Sequence, residues 1–450
     1  MSNNEVSISS LNDSFDRNAD SKNENKSKNR KKSTFGANPI KSLKFNFKNK
    51  YFLFFSLFVL FAGACLLIYF SLFSKNTFTK NPLVEKKVKV SNPTGTSKNS
   101  PLESTNSKEF PNPTNGIYLT KDKYKDVTSR KPIAIMINNH VDARPQAGIS
   151  QADVVYEIVA EGGISRLLAV FHSQIPDRVM SIRSARKYFI QIAAEYWPIY
   201  AHWGIAYRPD YEKNLNQTEF DKLLAEGAAE TDPRADARSY IDEIAIPVAN
   251  TDTTPSIYQH DQSLIDQGVA IEHTGYVQFN KIYDAFKQYY PEPSWSDYQP
   301  FDSWEFKDEK IDNTSSIYQP VTTIDYNFWD FPGFETTWTY DPDTNSYIRE
   351  QGGVITTDRG NSEKVLVKNV IIQKTTETKL GDKKGHLLYD VIGSGDATIY
   401  LDGVKIPAKW SKTVARERTK FTDLNRNPIK FNRGLFWIAI LPDYSNVTEK

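Results

Sequence analysis

An apolar run from Tyr51 to Phe73, YFLFFSLFVLFAGACLLIYFSLF, contains no charge and no proline. At ~1.5 Å per residue its 23 residues reach roughly 34 Å, enough to cross a bilayer core of about 30 Å. Residues 1–50 are rich in Ser, Asn and Lys, can bury almost nothing, and read as a disordered basic cytoplasmic tail. Residues 74–115 shift to Pro, Ser, Thr, Asn and Lys without hydrophobic periodicity and read as a disordered stalk. Residues 116–290 then alternate strand-like and helix-like patterns. Pro132–Asn138 is a short apolar strand, and Val154–Val170 is a hairpin around Gly162-Gly163. Ser184 reads as a helix N-cap ahead of the stripe Ala185, Tyr188, Phe189, Ile192, Ala193 and Tyr196, which Pro198 stops. Ile199–Trp203 returns as a strand, and Glu219–Glu230 as a helix. In residues 291–314, Pro291, Pro293 and Pro300 preclude long regular elements, which marks an inter-domain segment. Residues 315–450 read β-rich, with strands at Ser346–Arg349, Val365–Gln373, Leu387–Val391, Thr398–Leu401, Val404–Ile406 and Leu435–Leu441. Asp402-Gly403 between two alternating runs is a strong hairpin signal. The expected class is α+β: a single N-terminal transmembrane helix, then a mixed α/β ectodomain followed by a β-rich C-terminal domain.

Charge places these parts relative to a membrane. Lys28, Arg30, Lys31, Lys32, Lys41, Lys44, Lys48 and Lys50 precede the apolar run. Lys75, Lys80, Lys86, Lys87 and Lys89 follow it, but a large C-terminal domain translocates largely regardless of charge. The expected topology is a single pass with the N-terminus cytoplasmic and the C-terminal domains extracytoplasmic. Ala62-Gly63-Ala64-Cys65 has the outline of a lipoprotein cleavage box. The preceding tail is too long for a signal n-region, however, and the apolar run continues to Phe73, so Cys65 reads as a small apolar helix residue. As the single cysteine it excludes an internal disulfide framework or an iron–sulfur cluster. The 56 Lys and Arg balance 55 Asp and Glu, which argues against nucleic acid as a partner.

Three constellations could carry chemistry. With a two-residue turn at Gly162-Gly163, Val159 faces Arg166, and Arg166 stands diagonal to Glu157 and Glu161. That is either an acid–base carboxylate pair oriented by Arg166, as glycoside cleavage requires, or a structural Glu–Arg–Glu network. Arg183, Ser184, Arg186 and Lys187 put basic groups at a helix N-terminus, where they oppose the dipole. An anion would resolve this, either an external phosphate or carboxylate or one of the two glutamates. Asn138, Asn139 and His140, followed by Asp142, Arg144, Pro145 and Gln146, form a post-strand loop suited to a ligand or simply to turn chemistry. His202, inside IYAHW, reads as a buried histidine rather than a base. The candidate binding set is Asn138, Asn139, Arg144, Gln146, Arg166, Arg183, Ser184, Arg186 and His202, with no residue committed to catalysis. The six histidines do not pair at metal-ligand spacing, so neither a metal nor a cofactor is expected. Trp295, Tyr298, Trp304, Trp329, Phe331 and Trp338 could stack on sugars, though core packing is the more economical use.

The run RKPIAIMINNHVDARPQAGISQADVVYEIVAEGGISRLLAVF, the following IRSARKYFIQIAAEY…IYAHWG, and near the end VKNVIIQ, YDVIGSGDATIYLDGVKIPAKWSK and FWIAILP resemble the YerB-like family of bacterial envelope proteins. That family is the domain of unknown function 3048, with N-terminal and C-terminal parts. The resemblance covers most of residues 118–442. It implies a lipoprotein or single-span protein on the outer face of the cytoplasmic membrane, and no established reaction. A Pro-His-Asn stretch associated with the family is missing from Ile246–Tyr258, IPVANTDTTPSIY. The expected function is a cell-envelope binding module whose partner is peptidoglycan, another anionic wall polymer or an envelope protein. The alternative is a wall-polymer-cleaving enzyme using Glu157 and Glu161.

Overall fold

Runs that are apolar at every position suit strands covered on both faces, and such runs build the centre of this fold. The computed structural model describes residues 110–289, 302–311, 318–329, 331 and 333–450. The tail and Tyr51–Phe73 lie outside the described residues, as do Trp295 and Tyr298. Among the described residues no helix is long and apolar enough to cross a membrane.

In chain order the strands that position the site are β1 (Ile133–Asn138), β2 (Val154–Val159), β3 (Ser165–Phe171), β4 (Ile199–His202), β5 (Val248–Asn250), β6 (Gln319–Pro320), β7 (Thr323–Tyr326), β8 (Thr336–Asp341), β9 (Ser346–Gln351), β10 (Asn369–Thr375), β11 (Gly393–Leu401), β12 (Val404–Lys412), β13 (Lys420–Asp423) and β14 (Phe436–Pro442). The helices of interest are α1 (Lys187–Ala193), α2 (Gln217–Ala225) and α3 (Phe279–Tyr289). An 11-stranded sheet runs β6-β12-β11-β10-β14-β2-β3-β1-β4-β5, with β13 pairing β12. Strand β14 inserts between β10 and β2, parallel to both, and Trp437 stands level with Val370 and Val155. The sheet is therefore continuous across residues on both sides of the 291–314 segment, and every described residue falls in one compact unit. β1, β2 and β14 are buried at every position. Strands β7 to β9, with the short Val354–Ile355, Leu366–Val367 and Val447–Glu449, make a second, 6-stranded sheet. Trp338 of β8 meets Trp437 of β14 edge-on, with centroids 5.5 Å apart. The described chain is thus mixed α/β with a β-rich C-terminal part, as the pattern predicts.

Several local expectations hold. Leu401 pairs with Val404 across Asp402-Gly403, whose φ values of 56° and 76° are those of a primed two-residue turn. Helix α1 buries Tyr188, Phe189, Ile192 and Ala193, and the chain leaves it through Trp197 at φ 49° just before Pro198. Helix α2 starts at a capping box between Asn216 and Glu219.

Three expectations need correction. Residues 110–115, read above as the end of a disordered stalk, are folded: Asn112, Thr114 and Asn115 are buried, and Asn112 Oδ1 accepts from Thr114 N–H at 2.8 Å in a tight polar turn. Ser184 is not the helix N-cap; Arg186 holds that position without a side-chain cap bond. The β2–β3 hairpin is also shifted by one residue. Ala160 N–H donates to the Ile164 carbonyl at 2.9 Å, leaving a three-residue loop, Glu161 to Gly163. Arg166 consequently faces Ile158, and Glu157 faces Leu167. A one-residue slip exchanges the two faces of a strand, so Glu157 and Arg166 point to opposite sides of the sheet.

Candidate functional site

Glu157 lies at the middle of β2, fully buried, on the face that receives the second sheet. Its Oε1 accepts from Asn139 Nδ2 at 3.1 Å, Ser165 Oγ at 2.8 Å, Gln351 Nε2 at 3.1 Å and Arg349 Nη2 at 2.9 Å. Oε2 accepts from the same Nη2 at 2.8 Å and from Trp437 Nε1 at 3.0 Å. A carboxylate has about four acceptor directions, so none is left for acid–base work. Arg349 is 2% exposed and lies over the Trp437 ring at 4.6 Å. Glu157 and Arg349 therefore clamp β2 to β9, residues 192 apart in sequence.

The loop after β1 is built onto this clamp. Asn138 closes the strand; its Oδ1 accepts from His140 N–H at 3.0 Å and its Nδ2 donates to His273 Nδ1 at 2.9 Å. Asn139 Nδ2 reaches Ser165 at 2.7 Å and Gln351 Oε1 at 3.0 Å, while its Oδ1 accepts from Gln146 Nε2 at 2.9 Å. Arg144 folds back over the loop. Its Nε and Nη2 donate to the Asn139 carbonyl at 3.1 and 2.9 Å, and its Nη1 to the Gly333 carbonyl at 2.7 Å. These bonds use three of five guanidinium N–H groups. Among the described residues no carboxylate lies within ion-pair distance of Arg144, although the ring of Phe334 sits 4.6 Å from it.

Arg144 and Arg349 line one cavity of about 270 Å³, with Gln146 and Gln351 as further polar groups and Val141, Val354 and Ile355 as an exposed apolar rim. Burial, then the neighbouring Arg349 charge, lowers the Arg144 guanidinium to about 10, against Glu157 and Glu335, which act the other way from beyond ion-pair distance. Arg349 Nε is buried without an acceptor. The cavity thus holds two guanidiniums and spare donors, and only one of the two, Arg349, has a carboxylate, Glu157. An anionic group with an apolar neighbour fits this arrangement.

The second constellation is closed on itself. Glu161 accepts from Arg166 Nη2 at 2.9 Å and from Arg186 Nε, with His386 Nε2 at 3.8 Å. Burial raises the Glu161 carboxyl, but Arg166 and Arg186 outweigh it and hold it at about 2. Arg166 Nη1 also donates to the Ser184 carbonyl at 3.0 Å. The two arginines therefore have an internal anion, Glu161. Arg183 is half-buried and stands apart from this cluster's ion pairs. His202 ends β4, buried, with Nδ1 against the Gly204 carbonyl at 2.8 Å. Burial lowers its imidazole to about 4.

Folding also joins histidines that are distant in sequence. Ligand atoms of His140, Asp142 and His273 lie within 4.8 Å of one another. The two rings are stacked, however, with centroids 4.5 Å apart and planes 5° from parallel. A metal binds in the plane of each imidazole at about 2.0–2.1 Å, and stacked planes share no such point. Asn138 also occupies Nδ1 of His273. The cluster does not fit a metal centre.

Sequence reasoning missed Arg349, Gln351 and Trp437. A signal existed in SYIREQ: Tyr347, Arg349 and Gln351 share the buried face of β9, while Ile348 lies on the more open one. A strand whose polar residues face inward marks a site where polar groups are needed.

The fold and site define a class: an α/β protein with a central mixed sheet, whose cationic cavity and buried clamp are assembled from its N-terminal and C-terminal segments together. Residues 119–252 match the N-terminal domain, and residues 324–438 the C-terminal domain, of the family described as protein of unknown function DUF3048. The chain is 30% identical over 318 residues to a Bacillus subtilis (strain 168) protein named "Putative lipoprotein YerB", covering 70% of this chain and 83% of that one. A crystal structure of YerB protein from Bacillus subtilis superposes with a TM-score of 0.56 at 25% identity, over 75% of this chain and 99% of the other. The chain belongs to the DUF3048, YerB-like family.

Proposed function

We propose that this chain is a membrane-anchored, extracytoplasmic binding module that holds an anionic group of a cell-wall component between Arg144 and Arg349. The observation that carries the reading is Arg144 itself: a cation on a cavity wall, bonded to main-chain carbonyls and lacking an ion-paired carboxylate among the described residues. The lipoprotein name of the Bacillus relative supports an envelope location. Tyr51–Phe73 supplies the anchor, with the N-terminus cytoplasmic. The cleavage reading loses its support, because Glu157 is saturated by donors and Glu161 points to the other face.

The test is sedimentation of the full-length protein with isolated wall sacculi, either intact or stripped of teichoic acid. Charge-assisted hydrogen bonds are worth about 1.5–3 kcal/mol, so Arg144→Ala should bind roughly 10- to 100-fold more weakly. Binding kept on stripped sacculi assigns the anion to peptide-stem carboxylates, and binding lost assigns it to polymer phosphates. Equal sedimentation of wild type and Arg144→Ala sinks the proposal.

A further inference from the structure

A second, larger cavity of about 620 Å³ opens beside β7 and β8, away from Arg144 and Arg349. Its volume is in the range of small-ligand sites, about 300–1,000 Å³. Four aromatic residues line it: Tyr326 and Phe328 are buried, while Trp329 is half-buried and Tyr444 is 63% exposed. One carboxylate outside the lining fixes the latter two. Glu377 Oε2 accepts from Trp329 Nε1 at 3.0 Å, and Oε1 accepts from Tyr444 Oη at 2.8 Å; the Tyr389 hydroxyl completes its shell. The rings are therefore held before any ligand arrives, which lowers the ordering cost of binding.

The polar lining is rich in acceptors. Asp325 and Glu335 contribute carboxylates, and Lys379 lies over the Trp329 ring at 4.5 Å. Asn327 Oδ1 and Ser445 Oγ, on residues of the same wall, are shielded and have no hydrogen-bond partner. Buried polar atoms left unpaired are costly, and a small side-chain rotation toward the cavity would offer both to an incoming hydroxyl. Fixed aromatic faces together with clustered acceptors complement a ligand with apolar ring faces and many hydroxyl donors.

We propose that this cavity is a glycan-binding subsite, taking a short pyranose segment with Tyr444 and Trp329 as its platform. It is independent of the anion site. Titrate the full-length chain with N-acetylglucosamine hexamer and, separately, with maltohexaose, following tryptophan fluorescence and heat. Wild type is expected to bind at least one. Loss of one stacking contact should weaken binding roughly tenfold in Tyr444→Ala. Tyr444→Phe keeps the ring and should keep most of the affinity. Preference for the hexamer of N-acetylglucosamine assigns the subsite to amino-sugar glycan, and preference for maltohexaose to neutral hexose polymer. No binding of either sugar by wild type, or unchanged affinity in a folded Tyr444→Ala protein, overturns the proposal.

Discussion

Replacing Glu157 with Gln tests whether the clamp between β2 and β9 is structural. The substitution keeps the volume and one acceptor but removes the charge. Arg349, 2% exposed, then becomes a buried cation without its counter-ion. The new amide group also points N–H bonds at donors, because every polar neighbour of Glu157 donates to it. Breaking a buried pair by removing one partner costs about 3–5 kcal/mol. Folded domains retain about 5–15 kcal/mol, so the variant should fold but melt lower, by roughly 5 °C for a folded unit of this size. Thermal unfolding of the full-length protein, followed by far-UV circular dichroism, measures this. The pair Glu157→Leu with Arg349→Met removes both charges together. It should be more stable than either single variant's loss, added to the other's, allows, by about 2 kcal/mol. A Glu157→Gln protein within about 0.5 kcal/mol of wild type would refute the reasoning and return Glu157 to the pool of available acids.

Two predictions concern pH. The Glu161 carboxyl titrates near 2 when folded, because Arg166 and Arg186 outweigh its burial. A depressed carboxyl stabilises above its unfolded value and loses that contribution as pH falls through its folded one. Glu161 should therefore lose about 3 kcal/mol between roughly pH 4.5 and 2. Glu195 is held at about 2 in the same window by Lys412 and Arg418 against its burial, and Asp382 and Asp402 are lowered as well, so Glu161→Gln should reduce the acid slope in denaturant titrations without abolishing it; an unaltered slope contradicts the ion-pair assignment. Burial lowers His202 to about 4, so its neutral form is favoured on folding and stability falls as pH drops from about 6.5 to 4. Its imidazole proton signals should show no protonation at pH 5.5, and His202→Phe should reduce the slope in that range, with buried His172, lowered to about 3, keeping the remainder. Titration of His202 near 6.5 would contradict its burial.

How much of this was legible depends on how local each signal was. PIAIMIN, FWIAILP and Asp402-Gly403 needed only their own residues, and each became the expected strand or turn. The helical stripe of α1 was equally local. The hairpin register was not. VVYEIV is buried at every position, so either frame buries apolar side chains and the pattern does not pin the register. The loop's surroundings are remote as well: Gly163, at φ 75°, packs against Trp329 and Phe331, where an added Cβ would lie 3.4 Å from each ring. The pairing of β2 with β14 is equally non-local, and it placed Trp437 and Arg349 on Glu157. Of the aromatics read as stacking platforms, Trp304 and Trp338 are core, while Trp329 borders the large cavity.

The two acidic clusters show why one set of arginines is structural and another is available. Glu161 serves Arg166 and Arg186, which converge on its two oxygens at the sheet surface beside α1. That triad carries one excess positive charge, but both guanidiniums reach the carboxylate, so an incoming anion would have to displace Glu161. Glu157 serves Arg349 alone, and its other acceptor directions are taken by neutral donors from Asn139, Ser165, Gln351 and Trp437. Arg144 is left on the cavity wall with carbonyl partners, and burial and then its proximity to Arg349 depress its guanidinium, against the more distant Glu157 and Glu335. An anion placed between Arg144 and Arg349 relieves that repulsion and displaces nothing. Its binding energy is then realised in the folded state only, because Arg144 and Arg349 are far apart in sequence and are brought together by the fold. Binding that is confined to the folded state raises stability with ligand concentration, so occupancy of the cavity and integrity of the two-segment sheet are one linked equilibrium.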